Sequence, residues 1–189
     1  MSHKLSFDAS FCSLLIEIDR DIAAQIQLEG CTYCGGLLHQ SAYPRSPFGL
    51  SARLRTHFEE RFSFCCATCR KRTTPPSVRF FGRRWFPAPL LVLVSLLRCG
   101  INERRLAQVR RHFGINVSIT TWKRWRRWWR DSFAMTRFWQ RDKGLVPLVH
   151  HSGPFPRALL DAFQGGTGQR MCLLLKFISP LTGGNLRAV

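Results

Sequence analysis

Cys31-Thr-Tyr-Cys34 and Cys66-Ala-Thr-Cys69 are the residues of this chain best suited to chemistry. In a CxxC pair a tight turn aims both sulfurs at one point, so two pairs supply four thiolates. Four soft ligands in a tetrahedron suit Zn2+ in a closed structural site. Zn2+ is therefore the expected cofactor, held by Cys31, Cys34, Cys66 and Cys69, with folding and metal binding coupled. Gly35 and Gly36 suit the backbone turn that follows the first pair. The gap between the pairs, residues 35 to 65, is 31 residues, longer than the roughly 15–20 usual for such sites. A long hairpin with residues 44–51 as its loop absorbs the excess. Cys65 competes with Cys66 as ligand. Cys66 is preferred because it completes a CxxC with Cys69, and strand geometry then turns Cys65 the other way. His39 and His57 are the alternative donors. A redox dithiol would expect one CxxC beside a βαβ pattern, whereas here two pairs lie among basic, strand-like segments.

The second chemical signal is a basic helix. Ser118 is a good N-cap for Ile119-Thr-Thr-Trp-Lys-Arg-Trp-Arg-Arg-Trp-Trp-Arg130. Trp122, Trp125 and Trp129 fall at i, i+3 and i+7, on one face. Lys123, Arg124, Arg127 and Arg130 lie elsewhere around the helix, and Arg126 sits beside the tryptophans with a stem long enough to snorkel. A preceding segment, Glu103 to Phe113, carries Leu106, Ala107 and Val109 on an apolar stripe, and Gly114 to Val117 make a short turn between the two. That is helix-turn-helix spacing. A recognition helix needs an inward apolar face and an outward face that reaches base edges and phosphates. Thr120, Thr121, Lys123, Arg124, Arg127 and Arg130 are the expected contacts. A solvated basic helix packed by its tryptophans is the plainer reading of the same residues. Arg70, Lys71, Arg72, Arg79, Arg83 and Arg84, interleaved with Phe80, Phe81, Trp85 and Phe86, form a second basic stretch. It reads equally as a phosphate-binding or base-stacking strand and as the exposed edge of the ribbon.

Charge supports a polyanionic partner. The 189 residues carry 29 Lys+Arg against 11 Asp+Glu, a formal net charge of +18. Residues 52–141 hold 21 of the basic residues and only Glu59, Glu60, Glu103 and Asp131 as acids, while the flanks together hold 8 basic and 7 acidic residues. With 45% hydrophobic residues the chain has enough apolar content to fold. Its longest apolar run, residues 86–97, is interrupted by Pro87, Pro89 and Ser95 and is shorter than the roughly 20 residues a membrane span needs. No secretory signal is read between Met1 and Arg20. Eight cysteines then point to a reducing compartment, with Cys12, Cys99 and Cys172 as core thiols. The expected location is the cytoplasm, in association with the nucleoid, with no membrane partner.

The elements that must position these residues follow from periodicity. Residues 5–28 carry an amphipathic helical pattern with a break, capped by Asp8 or Ser10. Residues 37–43, 62–65 and 77–85 are strand-like. Helices are expected over 88–98, 103–113 and 119–140, separated by Gly100 and Gly114. A further helix fits 156–163, and 171–178 fits either a strand or a helix. The fold class is α+β: an N-terminal helical segment (1–28), a four-cysteine zinc ribbon (29–87), a helix-turn-helix module (88–140) and a C-terminal segment of no assigned role (141–189).

The order CxxCGG, strand, second CxxC with basic residues, Thr73-Thr-Pro-Pro76 and then helices resembles the N-terminal half of bacterial insertion-sequence transposases. The resemblance covers about residues 30–140. It implies metal ligation by the four cysteines and DNA contact by the helix of residues 118–130. A recombinase or transposase is the protein partner considered, docked by the ribbon in the adaptor reading. The acidic triad of the catalytic half has no counterpart here, since only Asp131, Asp142 and Asp161 follow the basic helix. His150-His151-Ser152 has no accompanying nucleophile motif, and Gly165-Gly-Thr-Gly168 lacks the Lys-Ser/Thr of a phosphate loop. The sequence therefore reads as a non-catalytic binder of duplex DNA, with an RNA- or ribosome-associated ribbon protein and a protein–protein adaptor as alternatives.

Overall fold

A computed structural model of the chain describes residues 7–81, 86–96, 103–113, 116–146 and 153–182. The N-terminal helix α1 spans Ala9–Glu29, capped by Asp8, whose carboxylate accepts the Phe11 N–H at 3.0 Å. It ends at Gly30, which takes φ +80°. Phe11, Cys12, Leu15, Ile18 and Ala23 bury one stripe. The expected break is absent. Asp19 interrupts the stripe but finds partners inside the protein, so the helix runs on through it.

Short strands follow: β1 (Leu38–Gln40), β2 (Tyr43–Pro44), β3 (Glu60–Arg61), β4 (Phe64–Cys66) and β5 (Arg72–Thr73). β1, β4 and β5 form an antiparallel sheet in that order, with Leu38 opposite Cys66 and Cys65 opposite both His39 and Arg72. β2 pairs with β3. A helical turn, α2 (Ala52–Arg55), and a 3-10 turn at Thr56–Phe58 fill the hairpin between them. The strand expected over 77–85 is reduced, among the described residues, to β6 (Phe80–Phe81), which pairs with β7 (Phe86–Pro87). Its first part is taken up otherwise, because the Val78 N–H donates to the Asp19 carboxylate at 2.7 Å instead of to a neighbouring strand.

The helical region begins with α3 (Ala88–Leu96) and α4 (Glu103–Phe113), followed by α5 (Ile119–Arg127). The single helix expected over 119–140 is broken. A π turn at Trp128–Ser132 and a 3-10 turn at Phe133–Met135 separate α5 from α6 (Arg137–Asp142). Two physical causes act together. The wider π turn gives the adjacent Trp128 and Trp129 rings, 4.8 Å apart, room in one aromatic cluster with Phe133. Thr136 then restarts the helix as an N-cap, its hydroxyl accepting the Trp139 N–H at 3.1 Å. The chain closes with α7 (Arg157–Ala162) and α8 (Thr167–Ile178). Residues 171–178 are thus helical; Met171, Leu174, Leu175 and Ile178 keep a helical spacing on the buried side.

One apolar core gathers Leu15, Phe58, Phe80, Leu90, Trp122, Trp129, Leu159 and Leu174, drawn from α1, the turn after α2, β6 and the helices that follow. A smaller cluster, Ala23, Cys31, Leu38, Phe64 and Cys66, lies under the three-stranded sheet. Five buried residues make a slight core, and a domain part of that size ordinarily needs a staple. Cys12 and Cys172 are buried thiols as expected; burial and the Asp8 charge push the Cys12 thiol up to about 12. Cys99, Gly100 and Gly114 lie outside the described residues.

Candidate metal centre and basic helix

Each cysteine pair sits on a backbone knuckle. In the first, the Cys31 carbonyl accepts the Gly35 N–H at 2.7 Å and the Cys31 N–H donates to the Gly36 carbonyl at 2.9 Å. Gly35 takes φ +70°, a conformation that favours glycine. A Cβ on Gly36 would lie 2.7 Å from Thr68 Oγ1 and 3.1 Å from Cys66 Sγ, so the second glycine lets the other knuckle pack against it. In the second knuckle the Cys66 carbonyl accepts the Arg70 N–H at 3.2 Å, and the Cys69 N–H points at Cys66 Sγ at 3.4 Å. Arg70 occupies the position of Gly35 and takes φ +59°, the one non-glycine residue with positive φ among those described.

The two knuckles bring Cys31, Cys34, Cys66 and Cys69 together, with their four Sγ atoms within 4.8 Å of one another. Cys31 and Cys69 are 3.6 Å apart and Cys34 and Cys66 3.5 Å apart. Sulfurs about 2.3 Å from a central tetrahedral ion lie about 3.8 Å from each other, so the set fits a metal ion. The same distances are far too long for S–S bonds, which measure about 2.05 Å. The Cys69 amide pulls the Cys66 thiol down to about 6, while burial and the neighbouring sulfurs push the Cys69 thiol up to about 12. Cys65 is excluded by register: it faces the opposite side of β4, beside His39 and Arg72, and its sulfur turns toward the Arg70 carbonyl at 3.5 Å. Neither His39 nor His57 belongs to the cluster.

The basic helix is built as its pattern implies. The Ser118 hydroxyl accepts the Thr121 N–H at 3.2 Å. Trp122, Trp125 and Trp129 are buried, and α3 packs against α5 on the inner side. Val117 fills the space before the helix. Thr120, Lys123, Arg124, Arg127 and Arg130 are exposed, and Thr121 and Arg126 are half-buried. Arg130 is engaged by Asp131, its guanidinium reaching the carboxylate at 2.8 Å, which holds the Asp131 carboxyl below the usual range.

The second basic stretch divides. Arg70, Lys71 and Arg72 are exposed at the sheet edge, and Arg83 and Arg84 lie outside the described residues. Arg79 corrects the expectation of a surface contact: it is buried, and its guanidinium is spent internally. Nε donates to Asp19 at 2.7 Å, and the terminal nitrogens donate to the His57 carbonyl at 2.8 Å and the Glu60 carbonyl at 3.0 Å. The Asp19 carboxylate also accepts from the Ser77 hydroxyl at 2.6 Å. Arg61 is buried close by and donates to the Pro75 carbonyl at 2.6 Å. This polar knot joins α1, the ribbon hairpin and the strand leading to α3. Sequence reasoning passed over it, although an acid on the apolar stripe between Leu15 and Ile22 was its signal.

Among the described residues no helix is long and apolar enough to cross a membrane. Compared with protein-family models, curated proteins and solved structures, the chain matches none.

Proposed function

We propose that this chain is a zinc-stabilised, non-catalytic nucleic-acid-binding protein that seats duplex DNA on α5. One observation carries the reading: the tryptophans of α5 are buried while Lys123, Arg124 and Arg127 on the same helix face solvent. A helix anchored by Trp122 and Trp125, with Trp129 in the turn that follows, is a rigid platform, and its cations neutralise phosphates and release counterions. Thr120 and Thr121, in the first turn, are placed for base edges. The net charge of +18 and the resemblance to transposase end-binding regions support the same reading, with service to a mobile element as its setting.

The test is binding of mixed-sequence duplex DNA followed by fluorescence anisotropy over a salt series. Arg124→Ala with Arg127→Ala is expected to lower the salt slope by about 2, near 0.9 for each lost phosphate contact. An unchanged slope places the contact surface elsewhere and overturns the role of α5. Structured RNA bound more tightly than duplex DNA at every salt concentration would favour an RNA-binding ribbon.

A second expectation follows from the Arg130–Asp131 pair. Asp131 holds one of the helix's cations and adds a like charge near approaching phosphates. Asp131→Asn should therefore tighten duplex binding a few-fold, mostly through faster association at low salt. Weaker binding by the variant would show that the pair holds Arg130 in its binding position.

A further inference from the structure

The loop between β2 and α2 touches the entry of α5. The Asn116 N–H donates to the Gly49 carbonyl at 2.9 Å, and a Cβ on Gly49 would lie 3.2 Å from the Asn116 carbonyl oxygen. Next to this contact, Phe48 is 64% exposed. It lines an open pocket of about 380 Å³ with Arg45, Ser46, Pro47, Arg55 and Glu59. From that pocket a pair of cation–ring contacts leads back to β5. Arg45 stacks on Tyr43 at 4.6 Å, Arg72 approaches the same ring at 5.5 Å, and the neighbouring Lys71 sits over Tyr33 at 4.2 Å. Arg72 is held in place by the Ser41 carbonyl and hydroxyl at 2.9 and 3.3 Å. Tyr33 is 62% exposed at the rim of the metal centre. Significant cation–ring contacts occur about once in 70–80 residues. Here Arg45 and Arg72 share the Tyr43 ring on the side of the sheet that Cys65 faces, while the Lys71–Tyr33 pair sits at the cysteine cluster.

We propose that the ribbon carries a second nucleic-acid surface that takes a single strand continuing from the duplex on α5. Phe48 stacks its bases, and Arg45, Arg55 and Arg72 neutralise its phosphates. The inference rests on the duplex reading of α5 and adds the substrate class: a duplex end with a single-stranded extension. Charge complementarity favours this occupant, since Glu59 is the only acid lining the pocket and aromatic rings between cations are what sequence-tolerant single-strand binding uses. The Gly49–Asn116 contact fixes the pocket beside the first turn of α5, so a strand leaving the duplex there meets Phe48 first.

The experiment compares three probes on the metal-loaded full chain by anisotropy: a blunt duplex, the same duplex with an extension of about eight nucleotides, and the extension alone. The extension is made once in DNA and once in RNA, and the tighter of the two identifies the strand. The extended duplex is expected to bind at least about ten-fold tighter than the blunt one, the gain of roughly one stacked base. Phe48→Ala, at an exposed ring beside the entry of α5, should erase most of that gain and leave blunt-duplex affinity unchanged, whereas Tyr33→Ala, at the cysteine cluster, should keep it. Arg124→Ala with Arg127→Ala should weaken blunt and extended duplexes alike and preserve their ratio. Equal affinity for blunt and extended duplexes overturns the inference and leaves α5 intact. So does a gain that survives in Phe48→Ala. Failure of the wild-type chain to bind blunt duplex overturns the α5 reading itself, and the junction with it.

Discussion

Cys66→Ser is expected to strip the protein of its metal and unfold the ribbon. Cys66 is fully buried between the two knuckles, and its sulfur is within reach of Cys34 and accepts the Cys69 amide. A serine hydroxyl is a poor ligand for a soft site, and three thiolates leave the ion open to water and chelators. Structural zinc contributes about 10–16 kcal/mol of apparent binding free energy at neutral pH. The sheet around the four cysteines has, among the described residues, a cluster of five buried residues beneath it, with Ile26, Phe62 and Cys69 packed against it. Metal content after dialysis against a chelator should fall from about one ion per chain to near zero. Amide hydrogen exchange across residues 31–73 should rise toward unfolded rates. Cys65→Ser is the internal control, because its sulfur faces the other side of β4 and metal content should stay full. Full occupancy in Cys66→Ser, or loss in Cys65→Ser, would reverse the ligand assignment that strand register supports.

The second large effect is expected at Asp19. Its carboxylate receives Arg79, the Ser77 hydroxyl and the Val78 amide, all away from water. Removing it leaves the Arg79 guanidinium buried without a counterion, which costs about 3–5 kcal/mol. That is a large share of the roughly 5–15 kcal/mol by which domains are stable. Asp19→Ala should shift urea unfolding of the metal-loaded protein accordingly, and Arg79→Ala should do the same from the other side. The double replacement Asp19→Leu with Arg79→Met should regain much of the loss, because the penalty lies in the uncompensated charge and not in the missing attraction. Single variants within about 1 kcal/mol of the parent, below the usual cost of breaking such a pair, would mean that water reaches the site. On the proposed reading the knot bears on binding as well as on stability. Arg79 ties α1 to the His57 and Glu60 carbonyls of the ribbon hairpin, and β6 and β7 continue from it to α3, which packs on α5. Loosening it is expected to weaken binding to an extended duplex more than binding to either part alone, since the two surfaces then lose their fixed spacing.

Local features were legible in the sequence where a short stretch contains its own cause. Two CxxC pairs carry their ligand set in the spacing, and alternation along a strand was enough to prefer Cys66 over Cys65. Asp8 and Ser118 cap the helices they were expected to cap, because the side chain and the amide it satisfies are three residues apart. The Trp122, Trp125 and Trp129 stripe is buried as its period requires. What remained hidden depends on residues distant in the chain. Arg79 reads as one more surface cation until α1 brings Asp19 to it across sixty positions, so only the folded protein could turn it inward. The helix expected over 119–140 breaks because adjacent indoles must both reach one aromatic cluster, a demand of packing that helical period alone does not contain. Tyr43 and Phe48 lie in no motif, and Tyr43 meets Arg72 only because β2 and β5 fold together. Composition, capping and ligand spacing were thus decided by the sequence itself, since their partners are near neighbours. Which charges are buried, where the basic helix ends and which ring meets which cation were decided by tertiary structure, through desolvation and close packing between segments that the linear chain keeps apart.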